Sequence, residues 1–429
     1  MNICAVSFHC CPFSLLGGDG TGGMNVYLRE LCSVAEDFPG TRIDIFTRIQ
    51  NPKFRGIRHF SPHARVIHLE GGPERPVDRT ELYDYLPEFT RNMESFIVQN
   101  KDDYDVVYTH YWLSGLVGEK IRETFNLPLV HIYHTLAFMK RKALESENRE
   151  HSSRLRSEEH LARVSDAIIS SSRHEMRNLV NEYGIPSSKI KLIYPGVNPT
   201  LFFPVVNGRA PRDVQRKKRE RVLLFVGRLD PVKGLMTVID ALSVLRKEEA
   251  SLYDQLKLFI VGGGRKDKDL PQNQEYIRLA ESIRKKKLAE KVIFLGSKKQ
   301  SQLRRYYSAA DALVVPSVYE SFGLVAMEAL ACGTPVIASR IGELESIVRE
   351  GKNGLSFCPE DPASLADSLK RFFSVQDSFW KKERIRGDIL NNFSWGKTAT
   401  ETYSFLEKIA GKRAPLTTIS QRGGIPRQA

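Results

Sequence analysis

Two glutamates stand out for their spacing around the start of a predicted helix. Glu320 and Glu328 flank the start of the segment Leu324–Cys332, whose composition predicts a helix, and Gly323 directly precedes that segment. The first amides of a helix have no partner within it, so a helix N-terminus can bind an anion, while nearby carboxylates accept hydrogen bonds from hydroxyl groups. These residues predict a site for a ligand that carries both phosphate and hydroxyl groups, as a nucleotide sugar does.

A second candidate anion site lies in the loop Gly227–Gly234, which follows the predicted strand Val222–Val226. Arg228 and Lys233 both belong to this single strand-to-helix loop. Two cations in such a loop can converge on one phosphate group. The alternative is a pair of surface cations without a ligand, but the position of the loop between strand and helix favours the phosphate site.

Glycines also cluster between the first predicted strand, Ile3–Phe8, and the first predicted helix. The segment Gly18–Gly23 is a literal G-x-G-x-x-G, but it does not directly follow the strand, and no acidic residue ends the second strand, Ile43–Thr47. These departures disfavour a nicotinamide dinucleotide. What remains is a glycine-rich backbone that can approach a diphosphate at a helix start.

Polar and aromatic residues follow three predicted strands of the first half of the chain. His9 follows the first strand, His110 and Tyr111 end another, and His134 and Thr135 follow a third. Ligands of doubly wound sheets bind beyond the carboxyl ends of the strands. One histidine at such a place is usually structural, but several on one rim indicate a cleft.

The elements that must position these residues alternate between strand and helix in both halves of the chain, which predicts a doubly wound α/β fold. A chain of 429 residues is too long for one ordinary core, so we expect two domains. Six cysteines without metal-ligand spacing, most of them in apolar segments, predict buried free thiols in a reducing compartment. The absence of a long apolar run and of a basic N-terminal segment predicts a cytoplasmic protein.

The formal net charge of +13 indicates an anionic partner: a phosphate metabolite, a nucleic acid or a membrane surface. The sequence contains no recognisable nucleic-acid module and no interleaving of aromatic and basic residues, so we expect no nucleic-acid partner. Peripheral contact with an anionic membrane stays open. A homodimer also stays open.

Three motifs together resemble those of family 4 retaining glycosyltransferases of the GT-B fold: Glu320–Glu328, Gly227–Gly234 and Pro195–Asn198. The resemblance spans residues 1–410. It implies two Rossmann-like domains that face each other across a cleft, at 1–200 and 201–390. It also implies a helix at 391–410 that crosses back to the first domain, and the remaining basic residues 411–429 are expected to form a disordered tail.

The resemblance further implies that a hexosyl group moves from a nucleotide diphosphate sugar, expected to be a UDP-sugar, without a cofactor. Basic residues would take the role that a metal plays in other glycosyltransferases, so no metal site is expected. Glu328 would bind ribose hydroxyls, and His134 would bind the 6-hydroxyl of the donor sugar. Glu320 would bind hydroxyls of the donor sugar or act near the developing oxocarbenium. The implied catalytic residues are His134, Glu320, Arg228 and Lys233, and the implied donor-binding residues are Gly23, Arg228, Lys233, Phe322, Gly323, Leu324 and Glu328.

The segments Gly22–Tyr27, His110–Gly115 and His134–Leu136 are similar to two groups within the family, the D-inositol-3-phosphate glycosyltransferases and the sucrose-phosphate synthases. Both groups take a phosphorylated acceptor, so we expect a small acceptor such as inositol phosphate or fructose 6-phosphate. The implied acceptor-binding residues are Asn25, Arg79, where a lysine is usual, Tyr111, Thr135 and Arg154, with Arg156 as an alternative to Arg154.

The chain departs from the family pattern in two places. In Ile341–Leu344, Glu343 stands where a glycine is usual, close to the expected domain hinge. The segment Met139–Ser153, which would shape the acceptor pocket, matches poorly. The basic helix that contains Arg154 can also be read as a solvated surface. The identity of the acceptor therefore stays open. The alternative function is that of a membrane-associated glycosyltransferase of envelope lipid or polysaccharide synthesis. A nucleotide-sugar binder without catalysis is a further alternative, but the intact set of charged residues argues against it.

Overall fold

The computed structural model describes most of the chain. The glycine-rich loop before Gly22, the predicted acceptor residue Arg79, most of the poorly matching segment after Met139, and the predicted disordered tail beyond Gly411 lie outside the described residues. The described residues are 1–14, 22–77, 81–139, 152–205, 211–214, 216–217, 219–263, 267–376 and 379–411.

The first half of the chain builds an eight-stranded sheet in the order β3-β4-β2-β1-β5-β6-β7-β8. Neighbouring strands are parallel except for the antiparallel edge pair β3–β4. The central strands are rich in Val and Ile and are buried along most of their length, as expected for a sheet covered on both faces. The strands are β1 (Asn2–Val6), β2 (Arg42–Arg48), β3 (Gly56–Ser61), β4 (Ala64–Leu69), β5 (Val106–His110), β6 (Leu129–Ile132), β7 (Ala167–Ser170) and β8 (Ile190–Leu192).

The second half builds a separate six-stranded sheet in the order β11-β10-β9-β12-β13-β14, and all of its described pairs are parallel. The prediction of two doubly wound α/β sheets is thereby confirmed. The strands are β9 (Arg221–Val226), β10 (Leu256–Val261), β11 (Val292–Phe294), β12 (Ala312–Val315), β13 (Val336–Ser339) and β14 (Gly354–Phe357).

Helices follow the strands and bury their apolar faces against the two sheets. The helices of the first half are α1 (Gly23–Ser33), α2 (Leu86–Asn100), α3 (Trp112–Phe125), α4 (Ser152–Val164) and α5 (Arg173–Asn181). Those of the second half are α6 (Leu235–Glu248), α7 (Ala250–Gln255), α8 (Gln274–Lys285), α9 (Gln300–Ala309), α10 (Leu324–Ala331), α11 (Leu344–Ile347), α12 (Pro362–Ser374), α13 (Lys382–Asn392) and α14 (Trp395–Ala410).

The last helix, α14, returns to the first sheet. Its buried residues belong to the same apolar cluster as strands β1 and β2. The Tyr403 hydroxyl donates to the carbonyl oxygen of Leu31 on α1 at 2.8 Å, and the Trp395 ring meets Tyr27 edge-on with the ring centres 5.6 Å apart. The two halves are thus joined both by the chain after β8 and by this final helix.

Some elements were not predicted from the sequence. Strand β3 has the largely exposed sequence Gly-Ile-Arg-His-Phe-Ser and lacks a clear apolar alternation. Strand β14 begins at Gly354, directly after the predicted turn at Lys352. The prediction of buried cysteines is confirmed with one exception, because Cys358 is exposed.

Candidate active site

A cleft of about 330 Å³ lies between the carboxyl edges of the two sheets. A smaller cavity of about 190 Å³ adjoins it and shares Gly23, Arg228 and Leu324 with it. The smaller cavity reaches Glu328. The structure thereby brings together predicted residues from both halves around the main cleft: Gly23, Asn25, Tyr111, His134, Thr135, Arg228, Lys233, Glu320, Phe322, Gly323 and Leu324.

The N-terminus of α10 forms part of the wall contributed by the second half. Gly323 precedes the helix with a φ of 94°, a conformation that favours glycine, and a Cβ there would lie 2.6 Å from the Leu344 side chain. No side chain caps the first turn of this helix. The amides of Leu324 and Val325 are therefore available to an anion, and the helix dipole favours negative charge at this point.

Lys233 and Glu320 form an ion pair at one side of this wall. The Lys233 Nζ lies 2.5 Å from Glu320 Oε2, and both side chains are mostly buried. The pair joins the loop after β9 to the loop after β12. Gly234 has a φ of 64°, and a Cβ at this position would collide with the carbonyl oxygen of Pro316. Close contact between the two loops therefore fixes where Lys233 can lie.

Arg228 is the second cation of the same loop. Its side chain is half-exposed, and its guanidinium lies 3.6 Å from the Asp230 carboxylate. Asp230 itself caps the short turn that leads to Lys233, because its side chain accepts a hydrogen bond from the amide of Val232 at 3.1 Å. The loop thus holds one half-exposed cation and one mostly buried cation beside the uncapped end of α10.

Glu328 lies one turn into α10, where it is almost fully buried. Its carboxylate accepts a 2.7 Å hydrogen bond from the Tyr307 hydroxyl and a longer one from Gln300. Burial raises the pKa of Glu328 from 4.5 to about 7. A carboxylate held in this way at the wall of a cavity can accept hydrogen bonds from ligand hydroxyls.

His134 enters the cleft from the first half, in a left-handed conformation with a φ of 60°. Its Nε2 lies 3.0 Å from Nδ1 of His110, and the two rings are stacked. Burial lowers the pKa of His134 to about 3, so the imidazole is neutral near pH 7. The contact with His110 occupies Nε2 and leaves Nδ1 as the ring nitrogen that can meet a ligand. The sequence analysis did not predict this pairing.

Thr135, Arg154 and Tyr111 converge on the same rim. The Arg154 Nη2 donates to Thr135 Oγ1 at 2.9 Å, and the guanidinium lies over the Tyr111 ring at 4.9 Å. Arg154 is buried, whereas Arg156 is exposed, so the structure places the former and not the latter against Thr135. These residues can offer a cation and a hydroxyl to a phosphate group.

Glu158 positions Arg154 and was missed in the sequence. Its Oε1 accepts from Arg154 Nε at 2.7 Å, and its Oε2 accepts from the amide of Ala137 at 2.9 Å and from Tyr183. Burial raises the pKa of this fully buried carboxyl, and the neighbouring Arg154 opposes that shift. The i,i+4 spacing of the two residues on α4 was a signal that could have suggested the pair.

Asn25 and Gly23 have structural contacts besides the roles predicted for them. The Asn25 Oδ1 accepts from the amide of Gly22, and its Nδ2 donates to the carbonyl oxygen of Cys11, each at 2.9 Å. The amide side chain therefore joins the start of α1 to the segment after β1. A Cβ on Gly23 would lie 3.1 Å from Leu324, so this glycine is a point where the two halves meet.

Two sequence families match the chain in succession. Residues 21–201 match Glycosyltransferase Family 4, and residues 208–385 match Glycosyl transferases group 1. The chain is a family 4 glycosyltransferase. Together the two matches take in every predicted donor- and acceptor-binding residue that the structure describes.

Relatives of this family 4 glycosyltransferase match it over nearly the whole chain. It is 33% identical over 438 residues to a D-inositol 3-phosphate glycosyltransferase of Corynebacterium efficiens, covering 100% of this chain and 99% of the relative. It is 34% identical over 412 residues to the protein of the same name from Corynebacterium glutamicum, covering 94% of this chain and 96% of that relative.

Solved structures show the same GT-B architecture. The sucrose-phosphate synthase of Thermosynechococcus elongatus superposes with a TM-score of 0.85 and 31% identity over 96% of this chain and 99% of the other. The Anabaena protein Alr3699/HepE, solved in complex with UDP and glucose, gives a TM-score of 0.69 at 19% identity. The superposition covers 94% of this chain and 99% of the Anabaena chain. At that identity the second likeness concerns the fold alone.

Two features are absent from the described residues. Within these ranges, no helix combines the length and apolar character needed to cross a bilayer. In the same part of the chain, no group of three or more His, Cys, Asp or Glu side chains is arranged to hold a metal ion.

Glu328→Gln should make this glycosyltransferase more stable at pH 8 and leave its stability at pH 4.5 nearly unchanged. The unfolded chain ionises Glu328 near its ordinary pKa of 4.5, whereas the folded protein resists ionisation up to about pH 7. The folded state is therefore penalised as pH rises through this window, and the penalty reaches about 3 kcal/mol above it. Chemical denaturation at several pH values measures the difference. Glu290→Gln, at an exposed site, is the control, and equal effects of both variants would contradict the assignment.

Proposed function

We propose that this family 4 glycosyltransferase moves a hexosyl group from a UDP-sugar to a small phosphorylated acceptor, with retention of configuration and without a metal. The observation that carries the proposal is that one wall of the cleft holds two cations, while Thr135 on the other wall is in contact with the buried Arg154. Arg228 and Lys233 lie beside the uncapped end of α10 on one wall, and Arg154 lies with Thr135 on the other. A transfer from a diphosphate to a phosphorylated acceptor needs anion sites on both sides.

The donor would occupy the wall of the second half. Its diphosphate would receive hydrogen bonds from the first amides of α10 and from the two cations, with Gly23 close by. Glu328, which reaches the adjoining cavity, would accept hydrogen bonds from the ribose hydroxyls. We assign uracil as the base of the donor nucleotide because of the family resemblance.

The acceptor would occupy the wall of the first half. Two relatives support a phosphate group on the acceptor, because one is named a D-inositol 3-phosphate glycosyltransferase and the other a sucrose-phosphate synthase. Both are more than 30% identical to this chain over nearly its whole length. Arg154 would bind this phosphate with Thr135 and Tyr111, and the predicted Arg79 would add a second cation.

In the proposed reaction, the bond between the anomeric carbon and the diphosphate oxygen breaks while a bond to the acceptor oxygen forms on the same face. Lys233 and Arg228 stabilise the negative charge that develops on the leaving diphosphate. The acceptor hydroxyl gives its proton to the departing phosphate oxygen. Glu320 and the neutral His134 orient the hydroxyls of the donor sugar between the two sites. Enclosure between the halves excludes water, which would otherwise hydrolyse the donor.

The double substitution Arg228→Ala and Lys233→Ala should lower kcat/KM for transfer at least about a thousandfold, because both charges act on the leaving group. Steady-state assays with UDP-hexoses measure the loss. The control is the pair Arg284→Ala and Lys285→Ala, which removes two exposed cations from α8 in the same half. Near-normal turnover in a folded Arg228/Lys233 variant would refute the diphosphate site.

Thr135→Val should raise KM for a phosphorylated acceptor about tenfold and leave KM for the donor unchanged. The substitution keeps the shape of the side chain and removes the hydroxyl that Arg154 contacts, so a charge-assisted hydrogen bond to the phosphate is lost. Thr400→Val, at an exposed position on α14, is the control. An equal rise in KM for the dephosphorylated acceptor would show that Thr135 does not serve the phosphate.

A further inference from the structure

Glu343 is a buried carboxylate at a position where the family pattern predicts a glycine. It lies in the loop between β13 and α11, in the second half of the chain, and is only 2% exposed. The proposed chemistry does not use it. A charged side chain buried at a glycine position is costly unless it has a specific partner, so its contacts need an explanation.

The partner of Glu343 lies in the other half. Its Oε2 accepts a 2.9 Å hydrogen bond from the amide of Arg173, the first residue of α5. A carboxylate at a helix N-terminus is stabilised by the unpaired amides and by the helix dipole. Glu343, in the second half, thus accepts a hydrogen bond from an amide of α5 that has no partner within that helix.

Tyr194 places this contact beside the connection between the halves. Tyr194 follows β8, and its ring lies 5.9 Å from that of Phe322. Burial, followed by the negative charge of Glu343, raises the pKa of Tyr194. The tyrosine therefore stays neutral next to the carboxylate. The Glu343–Arg173 contact lies close to the segment after β8, in which the chain passes from the first half to the second.

The loop that carries Glu343 also lies directly behind the proposed diphosphate site. A Cβ on Gly342 would be 3.3 Å from the carbonyl oxygen of Glu320. Leu344, on the other side of Glu343, packs so closely on Gly323 that a Cβ there would lie 2.6 Å from it. A displacement of the Glu343 loop would therefore reach the turn between Glu320 and Gly323.

The other carboxylate oxygen argues against a purely stabilising role. Glu343 Oε1 is buried, and within the described residues it has no hydrogen-bond partner. An unsatisfied buried acceptor lowers the stability of the folded protein, and a glycine would avoid that penalty. The contact with Arg173 is thus accompanied by a cost that a glycine would not have, which is reasonable for a residue that selects one arrangement of the two halves.

We propose that Glu343 is a positioning residue that latches the two halves together: through the amide of Arg173 it holds the diphosphate-binding turn against the first half of the chain. The latch favours the arrangement in which Glu320 and His134 face each other across the cleft. Its effect on donor binding rests on the function proposed above, whereas its effect on the arrangement of the halves does not.

The test compares Glu343→Gly, which restores the residue usual in the family, with Glu343→Gln, which keeps an oxygen acceptor but removes the charge. Glu345→Gln is the matched control, because Glu345 is exposed two positions further along. Small-angle X-ray scattering of the ligand-free protein reports the separation of the halves, and calorimetric titration with UDP reports donor-site affinity. Initial rates with a UDP-hexose give KM and kcat separately.

We expect Glu343→Gly to increase the radius of gyration and to weaken UDP binding about tenfold, the range typical of coupling between two sites. KM for the donor should rise while kcat at saturation changes little, because bound donor can still draw the halves together. Glu343→Gln should give smaller changes in the radius of gyration and in UDP affinity, in the same direction. If the glycine variant does not fold, Glu343→Gln alone provides the test. The control should behave like the unmodified protein.

Scattering and UDP affinity equal to those of the unmodified protein in both Glu343 variants would overturn the latch. A loss of thermal stability without a change in scattering would also overturn it, because that is the result of a merely structural role. If UDP binds to none of the proteins, including the unmodified one, the proposed donor fails. The scattering comparison still decides whether Glu343 holds the halves together.

Discussion

The ion pair between Lys233 and Glu320 is the interaction on which the geometry of the cleft depends. It connects the ends of β9 and β12, two neighbouring strands at the centre of the second sheet. Each partner orients the other in a mostly buried setting, so the cation is in place before a ligand arrives. A diphosphate at the start of α10 would find its counter-charge already positioned, without the cost of ordering a long side chain.

The same arrangement occurs on the opposite wall. Arg154 is held by Glu158, as Lys233 is held by Glu320. Lys233 lines the cleft, and Arg154 lies behind the cleft-lining Thr135. Removal of either glutamate would leave a mostly buried positive charge without its partner. In each half a glutamate thus holds a cation beside one of the two proposed anion sites. The loop that carries Glu343 contacts the first half through the amide of Arg173.

The sequence predicted what is local, and the structure added what is distant along the chain. Two short motifs could be predicted: the loop with Arg228 and Lys233, and the start of α10. Their strand, turn and helix signals lie within a few neighbouring residues. The exposed edge strand β3 lacked such a signal. Contacts such as Glu343 with Arg173 depend on how two separately folded sheets meet, which no spacing within one segment can reveal. His110 and His134 were each seen as strand-end residues, but only the alignment of β5 and β6 makes them partners.

Mass spectrometry of the reaction products tests the central claim most directly. The purified protein would be incubated with UDP-hexoses and, in parallel, with inositol 3-phosphate, fructose 6-phosphate and their dephosphorylated counterparts. The proposed two-anion cleft predicts a hexosylated phosphate product from at least one phosphorylated acceptor, and much less product from its dephosphorylated form. Equal transfer to both forms, or hydrolysis of the donor without transfer to any of them, would contradict it.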